Sequence, residues 1–143
     1  MAQTILVVDD DADVLHLCVQ TLTRQGFTVL EAPGSAEAMQ ICSTHIGMIH
    51  LALVDAMLDP AVFQLRSEKR SNIRVPGHIL ARGLIEKRKA LRVIMMSASS
   101  KADLKKNGIE VGDIPFLKKP FSREKLLATI RQELERRRFR VAS

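Results

Sequence analysis

Four places in the 143-residue sequence set polar side chains directly behind short apolar runs. Ile5-Leu6-Val7-Val8 ends in Asp9-Asp10-Asp11, and Leu51-Ala52-Leu53-Val54 ends in Asp55. Val93-Ile94-Met95-Met96 ends in Ser97, and Ile114-Pro115-Phe116-Leu117 leads through Lys118 into Lys119-Pro120. Carboxylates gathered at one place repel one another and raise their own pKa values unless a cation intervenes. Mg²⁺ suits such a place, because it takes one or two protein carboxylates together with water and phosphate oxygens. A carboxylate is also a nucleophile toward a phosphoryl group. A lysine and the metal ion then neutralise charge that spreads over the transferring oxygens. If these runs end on a common edge, the residues spell aspartyl-phosphate chemistry.

Positioning them requires a particular architecture. Residues 5–8, 27–30, 51–54, 92–96 and 114–118 read as strands, the first and third as continuous apolar runs of the kind buried on both faces. Between them lie helical patterns. Val14, Leu15, Cys18, Val19 and Leu22 precede a stop at Gly26, and Ser35 is placed to cap a helix carrying Ala38, Met39, Ile41 and Cys42. Leu80, Ala81 and Leu84 mark a helix over 77–89, and a short one near 100–107 stops at Gly108. A last helix begins behind Ser122 with Leu126, Leu127, Ile130 and Leu134 inside. Five β-α units in strict alternation predict an α/β domain, a parallel sheet with helices on both faces and right-handed crossovers. In such a sheet all the carboxyl ends lie on one edge, where sites form near the reversal of strand order.

These segments together resemble the receiver domains of response regulators, the CheY-like phosphoacceptor half of two-component signalling. Ile5–Asp10 resembles that family's first strand with its acid pair, and Leu53-Val54-Asp55 with Met57-Leu58 its phosphoacceptor segment. Val93–Ala98 resembles its fourth strand, and Phe116-Leu117-Lys118-Lys119-Pro120-Phe121 its FLxKPF signature. The likeness covers roughly residues 4–135. It implies a five-stranded, doubly wound, flavodoxin-like sheet in the order 2-1-3-4-5. It also implies roles: Asp55 as the phosphorylated residue and a Mg²⁺ ligand, Asp10 as a direct Mg²⁺ ligand, Asp9 as one through water, and the Met57 backbone carbonyl as another. Ser97 and Lys119 hold the phosphoryl oxygens on this reading, and Phe116 falls where the family carries a switch aromatic.

Simpler roles compete for some of these residues. An aspartate after a strand is commonly a helix cap, and Asp11 or Asp13 is expected to serve so, which leaves Asp9 and Asp10 without that duty. The Met95-Met96 pair reads as core filling, and His16, His45, His50 and His78 show no ligand spacing. The chain also departs from the family. Pro60 falls one place late, and the glycine expected to open the third helix is Gly77, so that 60–76 reads as an inserted basic loop with Arg66, Lys69, Arg70 and Arg74. The last helix is expected to run on as a basic extension over 133–143. The expectation is one receiver domain over 1–143, with no output domain attached.

Composition narrows the remaining classes. Apolar residues make up 46% and charged residues 27%, an ordinary globular balance that argues against disorder. No apolar run approaches a membrane span, no leader pattern opens the chain, and Cys18 and Cys42 read as reduced core thiols. A cytoplasmic protein is expected. Residues 1–59 carry eight acids against one base, whereas the rest is strongly basic, giving a net charge of +6. With five Phe and no Tyr or Trp, stacking surfaces for single strands are poor. The basic excess is therefore assigned to a solvated face or to an acidic protein target, ahead of sequence-specific nucleic acid. The implied partners are a histidine kinase or phosphotransfer protein and an unknown downstream protein. The chain is read as no enzyme in the usual sense, since it acts only on its own phosphorylation and dephosphorylation. Two rival readings are a receiver-like binding module that is not phosphorylated and a Mg²⁺-dependent phosphohydrolase with an Asp nucleophile. The second would want an acid pair after its lysine, and only Glu124, Glu133 and Glu135 follow Lys119.

Overall fold

A computed structural model describes residues 2–58 and 75–136. Its main sheet holds strands β1 (Thr4–Val8), β2 (Thr28–Ala32), β3 (Leu51–Asp55), β6 (Arg92–Ser97) and β7 (Phe116–Lys118). They are all parallel, in the order β2-β1-β3-β6-β7, which for the five main strands is 2-1-3-4-5. A second, antiparallel pair is absent from the sequence reading. Strand β4 (Met57–Leu58) meets β5 (Val75–Pro76), with Met57 opposite Pro76 and Leu58 opposite Val75. The end of the supposed 60–76 loop is thus a strand, and the rest of that loop lies outside the described residues.

Alternation along the strands sorts the core into two layers. Leu6, Val8, Ala52, Val54 and Val93 pack with α2 (Ser35–Thr44) and α3 (Gly77–Lys87). Ile5, Val7, Leu51, Leu53, Ile94, Met96 and Leu117 pack with α1 (Ala12–Arg24) and α5 (Arg123–Glu135). Leu53 and Ile94 are fully buried, so truncating either to Ala should cost about 2–5 kcal/mol. A smaller cluster of Ala56, Met95, Leu104, Ile109 and Val111 joins the short α4 (Lys101–Lys106) to the sheet.

The helix starts follow local chemistry. The Asp11 carboxylate accepts from the N–H groups of Asp13 and Val14, and Ser100 and Ser122 cap α4 and α5 in the same way. In α2 the cap is Gly34, without a side-chain bond, and Ser35 is the first helical residue, buried against the sheet. The third helix ends at Lys87 and β7 begins at Phe116, both shorter than their apolar patterns. The last helix stops at Glu135, where Arg136 turns extended, so no helical extension begins there; residues 137–143 lie outside the described set.

Three arginines tie loops and ends together at the edge where the strands begin. Arg88 donates to the carbonyls of Cys42, His45 and Gly47 at 3.0, 2.5 and 2.7 Å. Arg92 at the start of β6 donates to the Glu133 carbonyl at 2.7 Å, and Arg136 grips the buried Glu133 carboxylate with bonds of 3.0 and 2.9 Å. Among the described residues no helix is long and apolar enough to cross a membrane.

Candidate functional site

Strand periodicity decides which polar side chains meet. Asp9 lies two residues beyond Val7, Asp55 two beyond Leu53, and Lys119 two beyond Leu117. Those three apolar residues all belong to the layer under α1 and α5, so the three polar ones emerge on that same face. The Lys119 Nζ donates to Asp9 Oδ2 at 2.7 Å and stands 3.7 Å from Asp55 Oδ1. Its backbone N–H donates to the Ser97 carbonyl at 2.8 Å, which fixes the lysine across the end of β6. Asp9 is fully buried, and its second oxygen accepts from the Asp11 N–H at 2.9 Å. Asp11 therefore caps α1 with its side chain and steadies Asp9 with its backbone, while Asp10 is exposed at the rim. Asp9, Asp10 and Asp55 each offer an oxygen within 4.8 Å of the others.

The charges do not balance: three carboxylates face one ammonium. Burial pushes the Asp55 carboxyl from 3.8 up to about 7, the Asp9 charge adds to this, and Lys119 and the Met57 N–H only partly offset them. Burial also raises Asp9, against the hydrogen bond from Lys119. Desolvation works against the Lys119 ammonium, but the Asp9 hydrogen bond and the Asp55 charge hold its pKa above the ordinary value. An oxygen-only donor set, two of its three carboxylates buried, with surplus negative charge fits a hard divalent cation better than a proton or a soft metal. Burial, then the neighbouring Asp9, push the Cys18 thiol up to about 12, so it is an inert filler beneath the site.

The other residues singled out from the sequence fall as follows. Ser97 is buried at the end of β6, where its Oγ accepts from the Ser99 N–H at 2.9 Å. Met57 opens β4 beside Asp55. Phe116 is half-buried on the edge strand β7, packed with the α4 cluster, and the Lys101 ammonium sits 5.9 Å from its ring centroid. A cleft of about 380 Å³ opens beside Lys119, lined by Val14, Leu17, Ala98 and Phe121 among others. What the sequence reading missed is how closely Gly77 approaches the backbone of Asp55 and Ala56, less than a Cβ would tolerate. Its only signal was a glycine directly behind a proline at a helix start.

A doubly wound parallel sheet with acids at the ends of β1 and β3 and a lysine behind β7 defines a class of α/β domains with an acidic site at the carboxyl edge of the sheet. No family model matches the sequence, but individual relatives do. The chain is 33% identical over 139 residues to the transcriptional regulatory protein GltR of Pseudomonas aeruginosa, covering 96% of this chain and 51% of that protein. It is 31% identical over 136 residues to the uncharacterized transcriptional regulatory protein YrkP of Bacillus subtilis, covering 95% and 51%. The chain thus spans about half the length of these relatives. Among solved structures, the BeF3-activated DrrB receiver domain superposes with a TM-score of 0.71 at 26% identity, covering 95% of this chain and 100% of that one. A response regulator receiver protein from Sinorhizobium medicae gives 0.71 at 26% identity, covering 93% and 94%. The chain belongs to the response-regulator receiver domains.

Proposed function

We propose that Asp55 accepts a phosphoryl group from a phosphohistidine of a kinase or phosphotransfer protein, and that the phosphorylated domain signals by protein contact. The observation that carries this reading is Lys119, held between the buried Asp9 at 2.7 Å and Asp55 at 3.7 Å at one sheet edge. One Asp55 oxygen attacks phosphorus as the phosphorus–nitrogen bond to the donor histidine breaks, and the freed imidazole leaves with the bonding pair. On this reading Lys119 and Ser97 hold the phosphoryl oxygens, so that charge is neutralised by preorganised groups. Asp9, Asp10, Asp55 and the Met57 carbonyl would hold Mg²⁺, which would supply charge neutralisation and orientation at the same oxygens.

Receiver domains have no separate substrate, so on this reading the chain is a phosphoacceptor and not an enzyme. Its message is a shift between two surface arrangements, with Phe116 and Ser97 as the reporting pair. The exposed bases on α3 and α4, among them Arg82, Lys87, Lys105 and Lys106, favour an acidic protein target steered by their field. One receiver unit acting in the cytoplasm completes the reading. Incubation with a small-molecule phosphodonor and Mg²⁺, followed by mass spectrometry, tests it. A single phosphoryl group lost in Asp55→Asn is expected; labelling that persists in this variant refutes the assignment.

A further inference from the structure

The backbone that carries Asp55 is held from two sides. The Ala56 N–H donates to the Met96 carbonyl of β6 at 2.7 Å, and the Ala56 carbonyl accepts from the Gly77 N–H, also at 2.7 Å. Immediately beyond, Met57 pairs with Pro76 and Leu58 with Val75. Gly77 is therefore both the first residue of α3 and the strut behind the phosphoacceptor. Its φ does not require glycine; the space does. A Cβ there would lie 2.5 Å from the Asp55 carbonyl oxygen, 2.7 Å from the Ala56 Cα and 3.0 Å from the Ala56 oxygen. All three obstacles are backbone atoms with no rotamer to give way, so residues 55–57 would have to move by roughly 1 Å to restore ordinary contact. Displacements of that size cost about 10²-fold where reacting or ligating groups must be placed accurately.

We infer that Gly77 and the β4–β5 ribbon are positioning elements for the site, setting the directions of the Asp55 carboxylate and the Met57 carbonyl. The inference rests on the phosphoacceptor reading above. On this account the paired residues of the ribbon determine metal and phosphoryl binding, and residues 59–74 are not needed for it. A two-residue Asn-Gly turn closes such a ribbon readily, so replacing residues 59–74 by Asn-Gly preserves the stem.

The experiment compares wild type, Gly77→Ala and the Asn-Gly-trimmed chain, titrated with Mg²⁺ alone by calorimetry well below their melting temperatures, with circular dichroism to check the fold. Gly77→Ala should keep its secondary structure yet bind Mg²⁺ at least about tenfold more weakly, comparable to losing a supporting partner of a metal ligand. The trimmed chain should stay within about threefold of wild type. A folded Gly77→Ala with wild-type affinity overturns the inference, and so does a folded trimmed chain that has lost Mg²⁺. If Gly77→Ala does not fold, the trimmed chain alone decides. If wild type itself fails to bind Mg²⁺, the phosphoacceptor reading is what fails. Hydrogen exchange in metal-free protein then judges the positioning claim: the Ala56 amide should lose protection in Gly77→Ala while Leu53 and Ile94 keep theirs. Unchanged protection at Ala56 overturns it.

Discussion

Replacing Asp55 by Asn should stabilise the metal-free protein. The carboxyl titrates near 7 in the fold against 3.8 outside it, chiefly through burial and secondly through Asp9. At about 1.4 kcal/mol per pH unit, that difference sets a ceiling of roughly 4 kcal/mol on the cost of ionising Asp55 in the folded state. The attraction of Lys119 at 3.7 Å is already inside that figure. Relaxation and water entry at the sheet edge reduce it, and a gain of about 1–3 kcal/mol is expected for the Asn variant at pH 8 in chelator. For a domain of this size that is roughly 3–10 °C in melting temperature. Because the folded value lies above the unfolded one, the penalty is absent well below 3.8, grows as pH rises, and is complete only above about 7. The gain should therefore shrink to under about a third of its pH 8 value at pH ~4.5. Adding Mg²⁺ at pH 8 should raise the wild-type melting point more than the variant's. Scanning calorimetry at the two pH values reads all of this. A variant that melts at or below wild type at pH 8, or one with the same advantage at pH ~4.5, refutes the reasoning.

Other expectations follow from the same geometry. Asp10→Ala removes one of three clustered carboxylates, and Mg²⁺ titration should find weaker binding by about tenfold or more; unchanged affinity rules out a direct ligand. Met57 lies two residues past Asp55, so on the proposed phosphoacceptor reading Met57→Asn should speed loss of the phosphoryl group by offering a water-orienting amide; equal or slower loss counts against this. Arg88→Ala removes three hydrogen bonds to backbone carbonyls and should cost about 2 kcal/mol in denaturant melts; a loss below ~0.5 kcal/mol shows the clasp to be ornamental. Any affinity for duplex DNA should be indifferent to sequence and vanish near 150 mM salt, so tight selective binding under those conditions excludes the acidic-partner reading.

Much of the site could be read before any coordinates because its residues obey strand periodicity. Asp9, Asp55 and Lys119 each sit two places past an apolar residue of the same layer, and parallel strands have only one carboxyl edge. The β4–β5 ribbon escaped because two-residue strands carry no alternation, and one of them ends in a proline. The α2 cap was misplaced by one residue because Ser35 has a capping side chain, yet packs it inward and leaves the extended conformation to Gly34. The last helix ends at Glu135 and Arg136 is extended, although arginines favour helix in isolation. Arg136 grips the buried Glu133 carboxylate three residues back, a local pair at the helix end. What local sequence does not reveal is the Arg92 bond to the Glu133 carbonyl, which joins residues far apart in the chain.

The grip on Glu133 has a mechanical consequence. Arg92 bonds the backbone carbonyl of that residue, so the far end of α5 moves with the root of β6 and cannot fray independently. The near end begins at the Ser122 cap, three residues past Lys119. The helix is a lever pivoted at Glu133, about 15 Å long from Arg123 at 1.5 Å per residue. Any displacement of the 119–122 segment by events at the carboxylates must therefore appear as tilt, greatest beside the site and vanishing toward Arg136. Lys125 and Thr129, successive turns on the exposed flank of that lever, would travel by graded amounts that a pair of spin labels could measure.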